Sequence, residues 1–195
     1  SQAAGVEHII FISVLGANAH SSNSYFHSKG RAEQLVAESG IASTVIRTPI
    51  LLGPGNAGAK GLLRTAAQGR ARLLGGGSYT MRPLDLDDLS RAILQVCRAP
   101  KEGATVHELV GPEEIPYREL ISRVAKMLDQ KVAIAAMPIW LAKLGAAVSF
   151  RLKGKGISPT VIDVITMTEM AEQNADQEIG IELTPLSETL QKLLH

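Results

Sequence analysis

His8-Ile-Ile-Phe-Ile-Ser-Val14, Ser24-Tyr-Phe-His-Ser-Lys29 and Ser43-Thr-Val-Ile-Arg-Thr48, in that order, decide the fold. The first is a β-rich apolar run, the pattern of a strand buried on both faces of a parallel sheet. The second opens a helical stretch from Ser24 to Ser39. Its apolar positions Ala32, Leu35 and Val36 fall on one side, and Gly40 is placed to end it in the left-handed region. The third is a strand stopped by Pro49. Strand, helix and strand with short joints make a βαβ unit, whose crossover should be right-handed.

Tyr25 and Lys29 stand four positions apart, so on a helix they lie one above the other. A phenol and an ammonium so placed can act on one ligand. Tyrosine titrates near ~10 in water, and a neighbouring cation favours its anion. Ser13, at the carboxyl end of the first strand, offers a further hydroxyl, or else bonds backbone as strand-end hydroxyls do. The set reads as an acid/base site for hydride chemistry on an alcohol or carbonyl. Spacing alone does not separate this from a solvated helix; the blocks around it do.

Those blocks are Ala4-Gly-Val-Glu-His-Ile-Ile-Phe-Ile-Ser-Val-Leu-Gly-Ala17, Tyr25-x-x-x-Lys29 and Thr44-Val-Ile-Arg-Thr-Pro-Ile-Leu-Leu-Gly-Pro54. Arg82-Pro-Leu-Asp-Leu-Asp-Asp-Leu89, Glu108-Leu-Val-Gly-Pro-Glu113 with Tyr117-Arg-Glu-Leu120, and Thr184-Pro-Leu-Ser-Glu-Thr-Leu190 follow in order. Together they resemble the short-chain dehydrogenase/reductase superfamily over essentially the whole chain. The likeness is to its atypical and extended branches: NAD-dependent epimerase/dehydratase-like proteins, the NmrA-like group, and the 39 kDa subunit group of NADH:ubiquinone oxidoreductase. The resemblance implies an α/β fold, the second part of an NAD(P)-binding Rossmann doubly wound parallel sheet with a small α/β carboxyl-terminal lobe. Residues 1–104 would be the partial Rossmann-like domain, and residues 105–195 a substrate-side lobe interleaved with it that closes over the substrate.

By the same resemblance, Tyr25 would be the general acid/base and Lys29 would bond the nicotinamide ribose and favour the Tyr25 phenolate. Ser13 would hold the substrate oxygen. Tyr25, Lys29, Thr48, Pro49 and Ile50 would contact an NAD or NADP cofactor, and Arg82 an anionic group of the substrate, unless it is simply a solvated charge. The family's Gly-x-x-Gly-x-x-Gly fingerprint, which holds the pyrophosphate, has no counterpart here. The chain would then open in the helix before the family's fifth strand, as the carboxyl-terminal portion of a dehydrogenase-like protein. Two expectations follow: weak dinucleotide binding by this chain alone, and self-association as a dimer through the uncovered first strand. A non-catalytic NAD(P)-binding structural or sensing protein, or a truncated relic, is the competing class, because function lives in the site and not in the fold.

Composition narrows the field. The chain has 195 residues, 45% apolar and 20% charged, with a net charge of +1. This is an ordinary globular composition with no clustered Lys or Arg to suit nucleic acid. The single Cys97 excludes an internal disulfide and suits a reducing, cytoplasmic setting. The histidines are scattered without ligand spacing, so no metal is expected. No signal peptide opens the chain, although a chain beginning within a longer protein would not display one.

Further along, Gly53-Pro-Gly-Asn-Ala-Gly58 is a loop before a helix from about Lys60 to Gln68; Ala59 and Gly61 flank Lys60, which rules out a P-loop. Gly75-Gly-Gly77 reads as a turn between strands, and Asp87 or Asp88 as the N-cap of a helix to Arg98. Thr105 to Val110 and Lys131 to Ala136 read as strands, Pro116 to Leu128 as a helix packing through Leu120, Ile121, Val124 and Leu128. Ser158 to Ala175 and Pro185 to Leu194 read as closing helices, the latter capped by Thr184. The stretch Val132 to Phe150 is almost wholly apolar, but Pro138 breaks it, leaving a helix from Pro138 to about Leu152 that is too short to span a bilayer. It is a core or cleft helix, a dimer contact, or an in-plane membrane anchor with Arg151-Leu-Lys-Gly-Lys155 as its basic flank.

Overall fold

The computed structural model describes residues 4–153, 159–169, 171 and 173–194. In chain order its elements are β1 (His8–Val14), α1 (Ser24–Ala37), β2 (Ala42–Thr48), β3 (Leu51–Leu52), α2 (Ala57–Ala67), β4 (Arg70–Leu74), β5 (Thr80–Met81), β6 (Leu84–Asp85) and α3 (Leu86–Arg98). Then come β7 (Ala104–Glu108), β8 (Ile115–Pro116), α4 (Tyr117–Met127), β9 (Ala133–Met137), α5 (Ile139–Lys153), α6 (Pro159–Ile165), α7 (Asp176–Ile179) and α8 (Leu186–Lys192). They divide into two units. Ser1–Pro54, Arg82–Glu113 and Met170–His195 make the first, Gly55–Met81 and Glu114–Glu169 the second.

The first unit holds a parallel sheet in the order β1-β2-β7, with the short pair β3-β6 beside it in sequence. Registration runs from His8 opposite Ala42 to Val14 opposite Thr48, so the two strand ends finish level. β2 is central, and its residues Ser43 to Ile46 are buried. β1 departs from expectation: His8 to Ile12 are half-buried rather than covered on both faces. It lies at the sheet edge, where β2 is its partner among the described residues.

Helix α1 starts where the Asn23 side chain accepts the Tyr25 amide at 3.0 Å. Gly40, at φ 72°, turns the chain away two residues beyond the cap. The face that packs is not the expected one. Phe26, Gly30 and Glu33 are buried, whereas Leu35 is 61% exposed. A glycine that admits close backbone approach and a carboxylate with a fixed partner have replaced an aliphatic stripe.

The core of this unit gathers Ile46, Leu84, Leu89, Ala92, Val96 and Leu109, with Ile10, Ile12 and Leu183 packed against them. Burying each large aliphatic side chain contributes about 1.5–3 kcal/mol. Asp85, not Asp87 or Asp88, caps α3, its carboxylate accepting the Asp87 amide at 2.9 Å. Asp88 is fully buried and does other work. It accepts the Thr184 amide at 2.8 Å and the Thr184 hydroxyl at 2.6 Å, with Arg91 as a further donor. Thr184 is therefore occupied away from α8, whose N-cap position is Pro185. Two buried carboxylates thus pin the carboxyl-terminal segment to α3.

Burial alone would push the Asp85 carboxyl up, but hydrogen bonds from the Asp87 amide, Lys192 and Thr189 outweigh it and hold the group below its usual range. A depressed folded-state value contributes stability that is complete above the unfolded value near ~4 and is lost as pH falls through the folded one. Urea midpoints should therefore fall below about pH 4. Asp85→Asn should flatten part of that fall and cost roughly 1–3 kcal/mol at neutral pH. An unchanged acid limb in the variant would contradict this.

In the second unit β4 pairs parallel with β9, and β5 antiparallel with β8. Helix α4 buries Leu120, Ile121 and Val124 as its periodicity requires, while Leu128 is half-buried. Tyr79 and Tyr117 stack with centroids 5.4 Å apart, and burial pushes both phenols up. The expected helix over 158–175 is only partly present. α6 ends at Ile165, and Glu169 donates its amide to the Thr80 carbonyl at 2.9 Å. Asn174, in the first unit, clamps Val110: its side chain accepts from the Val110 amide at 3.1 Å and donates to the carbonyl at 3.0 Å. This amide pair imitates the pairing of a neighbouring strand. Ser158, Gly154 and Lys155 lie outside the described residues. Among the described residues no helix is long and apolar enough to cross a membrane.

Candidate functional site

Ser13, Thr48 and Lys29 meet at the carboxyl ends of β1 and β2. Thr48, buried, donates its hydroxyl to the Ser13 carbonyl at 3.3 Å. The Leu15 amide returns the link to the Thr48 carbonyl at 3.3 Å. Lys29 reaches in from α1, its ammonium 3.4 Å from the Ile12 carbonyl and 5.3 Å from the centre of the Phe11 ring. Both are favourable for a cation: a carbonyl dipole and an aromatic face. The Ser13 hydroxyl is buried and has no hydrogen-bond partner among the described residues. Leaving such a group unmet costs about 1–3 kcal/mol, so it calls for an explanation. Ser43, near the amino end of β2, is in the same condition.

Tyr25 sits one turn before Lys29 and is 40% exposed, its ring edge-on to Phe26 at 5.8 Å. Pro49 is buried and Ile50 half-buried in the segment leaving β2, where the Ile50 carbonyl accepts the Leu84 amide at 3.0 Å. Arg82 is tied to Gly111: its Nε donates to the Gly111 carbonyl at 3.1 Å, and its own carbonyl accepts the Gly111 amide at 3.0 Å. Part of its donor capacity is therefore spent on the fold.

What holds α1 in place was not foreseen. Arg47, on β2, donates to Glu33 through Nε at 3.0 Å and Nη2 at 2.7 Å, a two-pronged pair. Its other contacts are Glu108 at 3.5 Å and the Ala17 carbonyl at 3.3 Å. Hydrogen bonding to Glu33 raises the Arg47 pKa further despite burial. One guanidinium thus joins the helix, two strands and the loop after β1. A cleft of about 490 Å³ opens beside it, lined by Asn18, His20, Gly30 and Glu33 among others; Ser13, Tyr25 and Lys29 do not line it. Arg47→Met should cost about 2–3 kcal/mol, below the full value for a buried pair because the guanidinium is partly solvated. A double-mutant cycle with Glu33→Gln should return a coupling above about 1 kcal/mol in urea unfolding; additive losses would contradict the pairing.

Among the described residues no cluster of three His, Cys, Asp or Glu side chains is placed to hold a metal ion.

No protein-family model matches the chain. It is 26% identical over 140 residues to the ceramide reductase of Caulobacter vibrioides, covering 71% of this chain and 43% of that protein. It thus spans less than half of this curated relative. Among solved structures, MoeE5 in complex with UDP-glucose and NAD superposes with a TM-score of 0.71 at 19% identity, covering 98% of this chain and 65% of that one. The triphenylmethane reductase of Citrobacter sp. complexed with NADP(H) gives 0.70 at 20% identity, over 98% and 67%. A nucleoside-diphosphate-sugar epimerase from Staphylococcus aureus gives 0.69 at 16% identity, over 97% and 66%. The fold is the Rossmann-type α/β fold of these epimerases and reductases, so the likeness expected from the sequence holds at the level of fold.

Proposed function

We propose that this chain carries the acid/base part of an NAD(P)-dependent oxidoreductase acting on an alcohol or carbonyl of an apolar, long-chain substrate. The observation that carries the reading is the partnerless buried Ser13 hydroxyl, set beside the Lys29 and Thr48 contacts at the strand ends. Open α/β sheets bind ligands at that end. The ceramide reductase likeness supports the apolar substrate.

In this reading NAD(P), when bound, supplies or accepts the hydride at the substrate carbon. Tyr25 exchanges a proton with the substrate oxygen, donating it when a carbonyl is reduced and taking it when an alcohol is oxidised. Ser13 donates a hydrogen bond to the same oxygen. Lys29, already anchored by the Ile12 carbonyl, directs its remaining donors at the nicotinamide ribose. Thr48, Pro49 and Ile50 lie against the nicotinamide end, and Arg82 contacts an anionic group of the substrate.

A second reading, a non-catalytic NAD(P)-binding structural or sensing protein, draws on the 40% exposure of Tyr25. One experiment separates the two. The natural protein that contains this chain is offered NADPH or NADH with long-chain ketones and alcohols, and cofactor oxidation or reduction is followed by absorbance. Turnover supports the first reading. Cofactor binding without turnover on any of them supports the second.

A further inference from the structure

We propose that helices α5 and α6 form a face that docks onto an anionic lipid surface. Three observations meet in one place. First, Trp140 is 68% exposed, Leu141 47% and Leu144 56% on α5, and Val161 41% and Ile165 40% on α6. Trp140 and Leu144 are one turn apart, as are Val161 and Ile165, so each helix presents its apolar residues in a stripe. Second, the helices are joined by the Lys143–Asp163 ion pair, which makes the two stripes parts of one structural piece. Third, no Asp or Glu occurs from Gln130 to Ile162, while Lys131, Lys143, Arg151, Lys153 and Lys155 do. The whole chain has 19 acidic and 20 basic residues, so with these five set aside the remainder is net acidic.

An apolar patch of this kind is rarely left open on a protein that stays in water. A second copy of the chain could cover it, but the charge pattern argues against that occupant, since two copies would bring like charges together. An anionic membrane surface meets both demands. It accepts Trp, Leu, Val and Ile at the headgroup boundary and attracts the Lys and Arg that this stretch of sequence carries without Asp or Glu. α5 has 15 residues, short for a span and suited to lying in the plane. Docking would bring the chain to apolar substrates dissolved in the bilayer, although the inference stands without the oxidoreductase reading.

Trp140 is the chain's single tryptophan, so its fluorescence reports on this face directly. The 195-residue chain is mixed with phosphatidylcholine vesicles, with and without phosphatidylglycerol, and binding is read by flotation. The expected result is flotation with the anionic vesicles, a blue shift of Trp140 emission, and quenching by brominated acyl chains. Leu141→Glu combined with Leu144→Glu should weaken binding at least about tenfold, and Lys153→Glu with Lys155→Glu by roughly fivefold or more per charge. Leu35→Glu, on α1 in the other unit, should leave it unchanged, and circular dichroism checks that every variant is folded. Unaltered Trp140 emission and no flotation with anionic vesicles would overturn the proposal. So would a stable dimer in sedimentation that the Leu141 and Leu144 substitutions dissociate while vesicles go unbound.

Discussion

Gly30→Ala should destabilise the protein by about 2–4 kcal/mol, although alanine is the better helix former by up to about 1 kcal/mol. A Cβ at this position would lie 2.2 Å from the Ala19 nitrogen and 2.3 Å from the Asn18 carbonyl carbon. Both are backbone atoms, so no rotamer change can relieve the contact; α1 itself must shift. The Asn18 amide also donates to the Phe26 carbonyl at 3.1 Å, a bond that such a shift would stretch. Tyr25 and Lys29 ride on the same helix, and a displacement of about 1 Å can cost about a hundredfold in rate. Gly61→Ala supplies the contrast. That helical position in α2 has nothing within 4 Å of the added carbon. It should gain up to about 1 kcal/mol by propensity alone. Urea unfolding of the two variants reads opposite signs if the packing of α1 is as described, and equal gains would contradict it.

Tyr25→Phe should lower kcat by about 10²–10⁴-fold, the usual contribution of a positioned acid/base. Phenylalanine keeps the ring and its edge contact with Phe26 at 5.8 Å, so the fold should hold. Loss of proton transfer alone should lower kcat and kcat/KM together, with cofactor affinity nearly unchanged. A rise in KM at constant kcat would instead mark Tyr25 as a binding residue. Full activity in the variant would remove it from the chemistry.

The βαβ unit was legible because the apolar run His8–Val14 and the β-branched run Ala42–Thr48 are separated by a capped helix with a glycine stop. Elements of two residues, such as β3, β5, β6 and β8, carry no period to read. The α3 cap was displaced from Asp87 or Asp88 to Asp85, since three neighbouring carboxylates compete and only tertiary partners decide among them. Thr184 and Asp88 are 96 residues apart, and no local signal links them. The same holds for Arg47, whose partners Glu33 and Glu108 come from a helix and another strand. The candidate residues Ser13 and Lys29 could be named from a strand end and helical spacing, and Thr48 from the family resemblance. The side of α1 that packs could not, because Gly30 and Glu33 break the hydrophobic rule that selects Leu35.

The central claim is that Tyr25, Lys29 and Ser13 serve one reaction, and the transfer of label tests it most directly. The natural protein that contains this chain is incubated with nicotinamide cofactor deuterated at the transferable position and a long-chain ketone, and the product is examined by mass spectrometry. The account predicts deuterium on the new carbinol carbon with the wild-type protein. It predicts transfer slowed about a hundredfold or more in Tyr25→Phe, with cofactor still bound. Cofactor binding without label in any product, or undiminished transfer by Tyr25→Phe, would contradict it.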